Sequence, residues 1–417
     1  MFIKKDKYGV GTGRLRKLRV LSAIIVGCCV LFINTAGVAA NGSVHTESEK
    51  KPEPIAEGEV SAALLAEVGT GRVVYEYNSE EKLPAAGLTR LAALVSVCKG
   101  FDEGRLKPGD AVSVSEKAAG IGGTTAFLKA GEQMDAETML LAAVMINAGD
   151  ATHSLALAAA GSESAAVQEI NACMAGIGVE TNFSEICGAG EKLSASELAK
   201  IGAALTASES YRKSLHLILQ AAMRTKFYEK IEHNTGAGAT ELANPNKLVK
   251  QYSGCIGVGT GSSTEAGYCG VFAAKRGNTA FIAVVLGAKT SGTRFDCGSA
   301  LLDYGFASFR SVEINKKGDL FGQVAVNGSM RRSIGAAAES NVILLVSVSD
   351  TAYSLNAELA ECLEAPITTG DKVGRLIVTD SKGVVLAEVA LIADGNAEKA
   401  VFADYLKLIS TEWIKKV

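Results

Sequence analysis

The stretch Leu83-Pro84-Ala85-Ala86-Gly87-Leu88-Thr89-Arg90-Leu91 has the setting for nucleophilic chemistry and lacks the groups to perform it. Pro84 halts an extended run. From Leu88 on, Leu91, Ala92, Leu94, Val95 and Cys98 recur at the spacing of a helix that buries one face. A short loop feeding a buried helix suits a nucleophile, because free N–H groups and the helix dipole favour developing negative charge. That place is filled by Gly87, with Arg90 one turn on. Glycine has no side chain to attack with, and a guanidinium does not give up its proton in proteins. Elsewhere the reactive types are scattered. The four His have no ligand spacing, and the nine Cys include no CxxC pair. The seven Cys beyond the N-terminal apolar run read as small core residues. Nothing in the sequence calls for a metal or a cofactor.

Around this stretch, 417 residues at 48% hydrophobic and 21% charged suit a folded protein of two or three domains. A net charge of −3 gives no basic field for nucleic acid, so no nucleic-acid partner is expected. Aromatics at 6%, with abundant Ala and Gly, favour close backbone packing over an aromatic carbohydrate platform. At the start, Arg14, Arg16, Lys17 and Arg19 precede the apolar run Val20–Ile33, which ends near Ala36-Gly37-Val38-Ala39-Ala40. This is the pattern of a secretory signal over 1–40. An uncut anchor over Val20–Ala40 and a lipid box at Ile25-Val26-Gly27-Cys28 are the other readings. Residues 41–60 are polar and read as a linker.

Ser61–Val68 and Val73–Tyr77 form an expected hairpin around Gly69-Thr70-Gly71. Asp135–Ile146, Ala151–Ala160, Ser162–Ile177 and Ser194–Leu205 follow as helices, the last with Ser194 or Ser196 as N-cap. Cys269–Ala274 and Thr279–Leu286 are apolar, strand-like runs, and Ser299–Ser308 reads as a helix. From Ser311 the pattern becomes short alternating segments, including Gln323–Val326, Val342–Val348, Leu376–Thr379 and Val384–Ile392, which suggests a small β-domain. In the last segment Phe402, Leu406, Ile409 and Trp413 share one helical face, with Lys407, Lys415 and Lys416 off it.

Taken in order, the chain resembles the D-alanyl-D-alanine carboxypeptidases, the low-mass penicillin-binding proteins that trim peptidoglycan stem peptides. The resemblance rests on Tyr75-Glu76-Tyr77-Asn78 with Leu83-Pro84-Ala85-Ala86, on Asp150-Ala151, and on Gly176-Ile177-Gly178 with Thr181-Asn182-Phe183. It continues through Asn244-Pro245-Asn246-Lys247-Leu248, Tyr252–Gly257, Ala266-Gly267-Tyr268-Cys269, Arg294-Phe295 and Leu301–Phe306, to Gly370–Gly374. It implies an α/β (α+β) fold: a β-lactamase/transpeptidase-like domain over 61–310, a small C-terminal β-domain over 311–395, and an amphipathic helix over 396–417. It also implies a place at the outer face of the cytoplasmic membrane or in the cell wall.

In that family a Ser nucleophile and a Lys base lie one turn apart, a Ser and an Asn relay protons, and a Lys-Thr-Gly strand holds the substrate carboxylate. Carried over, these positions fall on Gly87 and Arg90, on Asn147 and Gly149, and on Gly259-Thr260-Gly261. Thr260 and Gly261 alone keep the family type, and they bind rather than react. Losing the nucleophile typically removes roughly 10⁶ in rate. Ser48–Lys51, Ser79–Lys82, Ser96–Lys99 and Ser210–Lys213 repeat Ser-x-x-Lys elsewhere, and Thr89 is a hydroxyl near the right place; each has an ordinary structural reading. The expectation is an inactive relative that binds stem peptides or an unidentified protein partner, with its terminal helix on the membrane surface. The alternatives are an active serine-type carboxypeptidase with an unrecognised nucleophile, and a structural protein of the membrane surface.

Overall fold

The computed structural model describes residues 55, 58–223, 228–233, 239–349 and 352–407. The signal segment expected over 1–40 lies outside them, as do most of the 41–60 linker and Ile409 and Trp413 of the terminal helix.

An antiparallel sheet of five strands organises the larger part of the chain. Its strands are β1 (Ala62–Glu67), β2 (Val73–Tyr77), β3 (Cys255–Ser263), β4 (Gly267–Arg276) and β5 (Thr279–Ala288), in the order β2–β1–β5–β4–β3. β1 is apolar almost throughout because both faces of the sheet are covered. Ala62 and Leu64 enter one core, while Ala63 and Leu65 enter another on the opposite face. The first face carries α1 (Arg90–Asp102), α2 (Ala136–Ile146), α3 (Gly149–Ala160), α4 (Glu163–Gly176), α5 (Ala195–Ala207) and α6 (Glu209–Met223). The second carries α7 (Ser291–Ser308). Full burial of a side chain such as Leu64 contributes about 2 kcal/mol.

The helix starts follow from local chemistry. Asp135 caps α2, its Oδ1 accepting from Thr138 N at 2.8 Å. Ser194 caps α5 in a capping box with Glu197. α7 begins eight residues before the expected Ser299 (299 − 291), with Thr290 as its cap. Gly292 and Gly298 disguise that start by looking like breaks, yet Gly298 serves packing: a Cβ there would lie 2.5 Å from the Phe272 ring. α6 is a helix that the sequence pattern does not announce; Ser210 and Lys213 follow α5 and sit in the first turns of α6.

Beyond α7, Phe309–Asn315 pairs with Val342–Ser347. A second sheet has the order Tyr353–Leu359, Lys372–Asp380, Val385–Ala393, Ser333–Ala338, Leu320–Asn327, Cys362–Glu364. Its neighbours are antiparallel except the last pair. The alternation seen in the sequence is the alternation of these strands between a core around Val324, Leu376 and Leu391 and the solvent. The whole is therefore an α/β (α+β) fold followed by a β-rich part. Of the seven Cys expected in the core, Cys362 is exposed on an edge strand.

Candidate functional site

Gly87 lies in the 3-10 turn Ala86–Thr89 that leads into α1. Ala86, just before it, holds a φ of 49°, a left-handed conformation that costs a residue with a Cβ about 1–2 kcal/mol. Position 87 itself has room. A Cβ there would meet Asn147 Nδ2 at 3.6 Å and Arg90 Nη1 at 3.9 Å, both ordinary contacts.

Arg90 turns inward and is buried. Its Nη1 donates to the carbonyls of Thr124 at 2.8 Å and Asn147 at 3.2 Å, and its Nη2 to that of Gly122 at 2.5 Å. The guanidinium thus ties the 122–124 loop and the end of α2 to the start of α1. Two glycines make space for it. A Cβ on Gly149 would lie 2.8 Å from Arg90 Cζ and 2.7 Å from Ile121 Cγ2, and one on Gly123 would lie 2.9 Å from Nη2. Asn147 ends α2 with a φ of 58°, a value Asn tolerates better than most residues. Its Nδ2 donates to Gly87 O at 2.6 Å, while its Oδ1 is buried without a partner. Gly87, Arg90, Asn147 and Gly149 therefore meet at one point.

β3 packs beside this turn. A Cβ on Gly261 would lie 3.0 Å from Gly87 N, and one on Gly259 would lie 3.4 Å from Leu91 Cδ2. Thr260 between them is buried. Arg294 of α7 donates to Gly261 O and Cys269 O, both at 3.2 Å, and fixes the ends of β3 and β4. Burial lowers its pKa.

A cavity of about 540 Å³ opens beside Gly87 and Arg90. Lys117 and Ile121 form one side of it, His153 of α3 contributes to the wall, and Ser263 and Glu265 close the side near β3. The 185–192 loop brings Glu185, Cys187, Glu191 and Lys192. Gly259, Thr260 and Gly261 stand earlier on β3 and are not part of this wall.

A family profile described as D-alanyl-D-alanine carboxypeptidase matches residues 46–290, and a second, for the penicillin-binding protein 5 C-terminal domain, matches residues 309–399. The first covers more than half of the chain. The chain belongs to the D-alanyl-D-alanine carboxypeptidase family. Among its relatives, the D-alanyl-D-alanine carboxypeptidase DacF of Bacillus subtilis is 29% identical over 95% of this chain and 99% of its own length. DacA of Escherichia coli K12 is 26% identical over 94% of this chain and 96% of its own. The crystal structure of penicillin-binding protein 5 from Haemophilus influenzae shares the fold, with a TM-score of 0.71 and 21% identity over 82% of this chain and 98% of that one.

Other candidate nucleophiles are tied up elsewhere. Ser96 Oγ donates to Ala93 O at 3.0 Å, and Lys99 faces Glu103. Ser79 Oγ donates to Glu76 Oε2 at 3.0 Å, and Lys82 pairs with Glu197. Ser210 Oγ donates to Asp102 Oδ1 at 2.6 Å, and Lys213 pairs with Glu209 at 2.8 Å. Ser48 and Lys51 lie outside the described residues. In the cavity wall, Thr89 Oγ1 donates to Cys187 O at 2.9 Å and does not cap α1. Burial pushes the Cys187 thiol up to about 11, against the opposing charge of Arg90, so it is not a ready thiolate at neutral pH. Ser96 and Thr89 donate to backbone carbonyls, and Ser79 and Ser210, which donate to carboxylates, do not line the cavity.

Spacing along the chain assigns the His no role, yet two of them hold structured positions. His153 is 2% exposed, and burial lowers its pKa, so it is neutral at pH 7. His233 Nδ1 lies 2.8 Å from the buried Glu132 Oε1, and its Nε2 lies 2.7 Å from Thr240 Oγ1. That relay fastens the hairpin Tyr228–Glu232/Ala239–Ala243 to the 129–132 turn, and none of its residues lines the cavity. Only its polar composition hints at it in the sequence, since the partners are about a hundred positions apart.

Proposed function

We propose that this protein is a catalytically silent member of its family that keeps a peptide-binding cavity at the outer face of the cytoplasmic membrane or in the cell wall. The observation that carries this reading is Arg90. Where the family places a Lys base, a permanently charged guanidinium is spent on three backbone carbonyls. The neighbouring nucleophile position is a glycine, while the cavity beside both remains open. An open cavity speaks for a retained ligand and against a filled, purely structural groove. Peptidoglycan stem peptides are the ligands that the names of the relatives suggest. The same reading assigns a cleaved signal to 1–40, the carboxypeptidase-like domain to 61–310 and the β-domain to 311–395.

Residues 41–417 are expected to release no D-Ala from a D-Ala-D-Ala peptide and to form no penicilloyl adduct. Intact-protein mass spectrometry after long incubation with penicillin checks both the reading and its rival, an active enzyme with an unrecognised nucleophile. A stoichiometric adduct on any residue of the cavity wall decides for the rival.

The chain end supports placement on a membrane surface. Val401, Phe402, Tyr405 and Leu406 are exposed at 60%, 77%, 43% and 52%, so this turn presents an exposed apolar face. With Lys407 beside them, they suit a peripheral, reversible contact with anionic lipid. The body extends through Ala400: Ala397 exchanges both backbone bonds with Ile367, and Ala400 N donates to Gly328 O at 2.7 Å. A truncation that spares the fold therefore falls after Ala400. Co-sedimentation with anionic liposomes is expected to drop about tenfold or more for 41–400 relative to 41–417. Equal binding by the two would place the helix on the protein.

A further inference from the structure

The ribbon Phe309–Asn315/Val342–Ser347 belongs to both parts of the chain at once. Its register sets Ser311 opposite Leu345 and Val312 opposite Leu344, and successive residues point to opposite faces. On one face Phe309 and Leu345 enter the core beneath α7. On the other, Val342, Leu344 and Val346 enter the core of the β-rich part, with Val312 and Ile314 packed against it. A swing of the β-rich part against the five-stranded sheet therefore has to move this ribbon.

The turn between β1 and β2 grips both strands of the ribbon at the opposed pair Ser311 and Leu345. Glu67, the last residue of β1, is 2% exposed. Its Oε2 accepts from Thr70 N at 2.6 Å and from Thr70 Oγ1 at 2.7 Å. Its Oε1 reaches across the seam and accepts from Ser311 Oγ at 3.0 Å. Ser311 N donates in turn to Thr279 Oγ1 of β5 at 2.7 Å. On the facing strand, Arg72 Nη1 donates to Leu345 O at 3.1 Å, and its guanidinium lies 5.7 Å from the centre of the Phe309 ring. A buried carboxylate is costly to leave unmet, so Glu67 favours the one placement of Ser311 that completes it. The apolar contacts of the ribbon are non-directional and tolerate sliding, whereas these hydrogen bonds do not.

We propose that the β1–β2 turn is a clasp that locks the β-rich part in one orientation relative to the cavity, and that opening it lets that part swing about the ribbon. Domains of one chain move against each other by default, and here a polar grip on a single residue pair prevents it. The clasp itself does not depend on what the cavity binds. With the chain end on a membrane, as proposed above, it sets the stance of the cavity over that surface.

A pair of spin labels on residues 41–417 reads the orientation. One label sits on Cys362, exposed on an edge strand of the second sheet, and the other on Glu137→Cys, exposed on α2, with Cys173→Ser removing a half-buried thiol. Double electron–electron resonance is expected to give one narrow distance with the clasp intact. For Glu67→Ala with Arg72→Ala the distribution is expected to be about twofold or more wider. Ser311→Ala, which removes only the hydroxyl given across the seam, is expected to widen it less, and it carries the test alone if the double variant does not fold. Ser194→Ala, which costs α5 its cap and lowers the melting temperature by about 2–4 °C, is expected to leave the width unchanged. An unchanged width in the folded clasp variants overturns the inference, as does a wide distribution already in the wild type. Equal widening by Ser194→Ala overturns it too, because the effect would then follow stability and not the clasp.

Discussion

Gly149→Asn is expected to destabilise the protein by about 2–3 kcal/mol, although Asn is by itself a better helix residue than Gly. The cause is steric. The first side-chain atom would lie 2.8 Å from Arg90 Cζ and 2.7 Å from Ile121 Cγ2, before any amide is added. Arg90→Lys alone is expected to cost a similar amount, about 2–3 kcal/mol, because it abandons charge-assisted bonds to three backbone carbonyls, that of Asn147 buried. In the double variant the shorter ammonium vacates the space that the new amide needs. The two costs should then fall short of their sum by about 1 kcal/mol or more. Urea denaturation of the wild type, both single variants and the double variant closes the cycle. Additivity within about 0.5 kcal/mol would mean that the two positions do not share one space. The expected coupling makes Gly149 and Arg90 one structural unit rather than two independent positions.

Much of this is legible in the sequence, and what is not has identifiable causes. The hairpin β1–β2, the capped helix α2 and the strands β4 and β5 follow from local periodicity and capping, which neighbouring residues decide. α7 is only half visible because Gly298 reads as a break unless Phe272, on a strand 26 positions earlier (298 − 272), is known to lie against it. α6 is hidden because its first turns are polar and carry no break from α5 beyond the extended Ser208. At the site, the sequence names which side chains are absent, since Gly87 cannot be anything else. The destination of Arg90 is another matter. Its carbonyl partners are 32, 34 and 57 positions away, and only the folded chain brings them together. His153 escapes notice for the same reason: spacing reports ligands on one element, whereas Glu163 and the 185–192 loop reach it from others.

Restoring the family types at five positions together, with Gly87→Ser, Arg90→Lys, Asn147→Ser, Gly149→Asn and Gly259→Lys, is expected to produce measurable acylation by penicillin. The same set with Arg90 retained should produce none. Position 87 accepts a Cβ without a close contact, and position 259 meets only the ends of Leu91 and Leu88, at 3.4 Å and 3.7 Å. The serine introduced at position 87 can therefore present its hydroxyl at the mouth of α1. The lysine introduced at position 90 makes none of the guanidinium's bonds to the carbonyls, so its amine can take the proton. Two costs accompany the change. Asn147→Ser puts a serine at a φ of 58° that Asn tolerates better, worth about 1 kcal/mol, and Gly87 O loses its 2.6 Å donor. The variant should thus be less stable than the wild type but folded. The nucleophile and base together supply roughly 10⁶ in rate, so even a poorly aligned restoration should stand far above the background proposed for the wild type. Mass spectrometry after penicillin treatment, with peptide mapping of the adduct to residue 87, reads the result. An unmodified protein with an intact cooperative melt would show that the cavity has drifted from the shape acylation requires. In that case Arg90 did not merely replace a base but re-formed the pocket around itself.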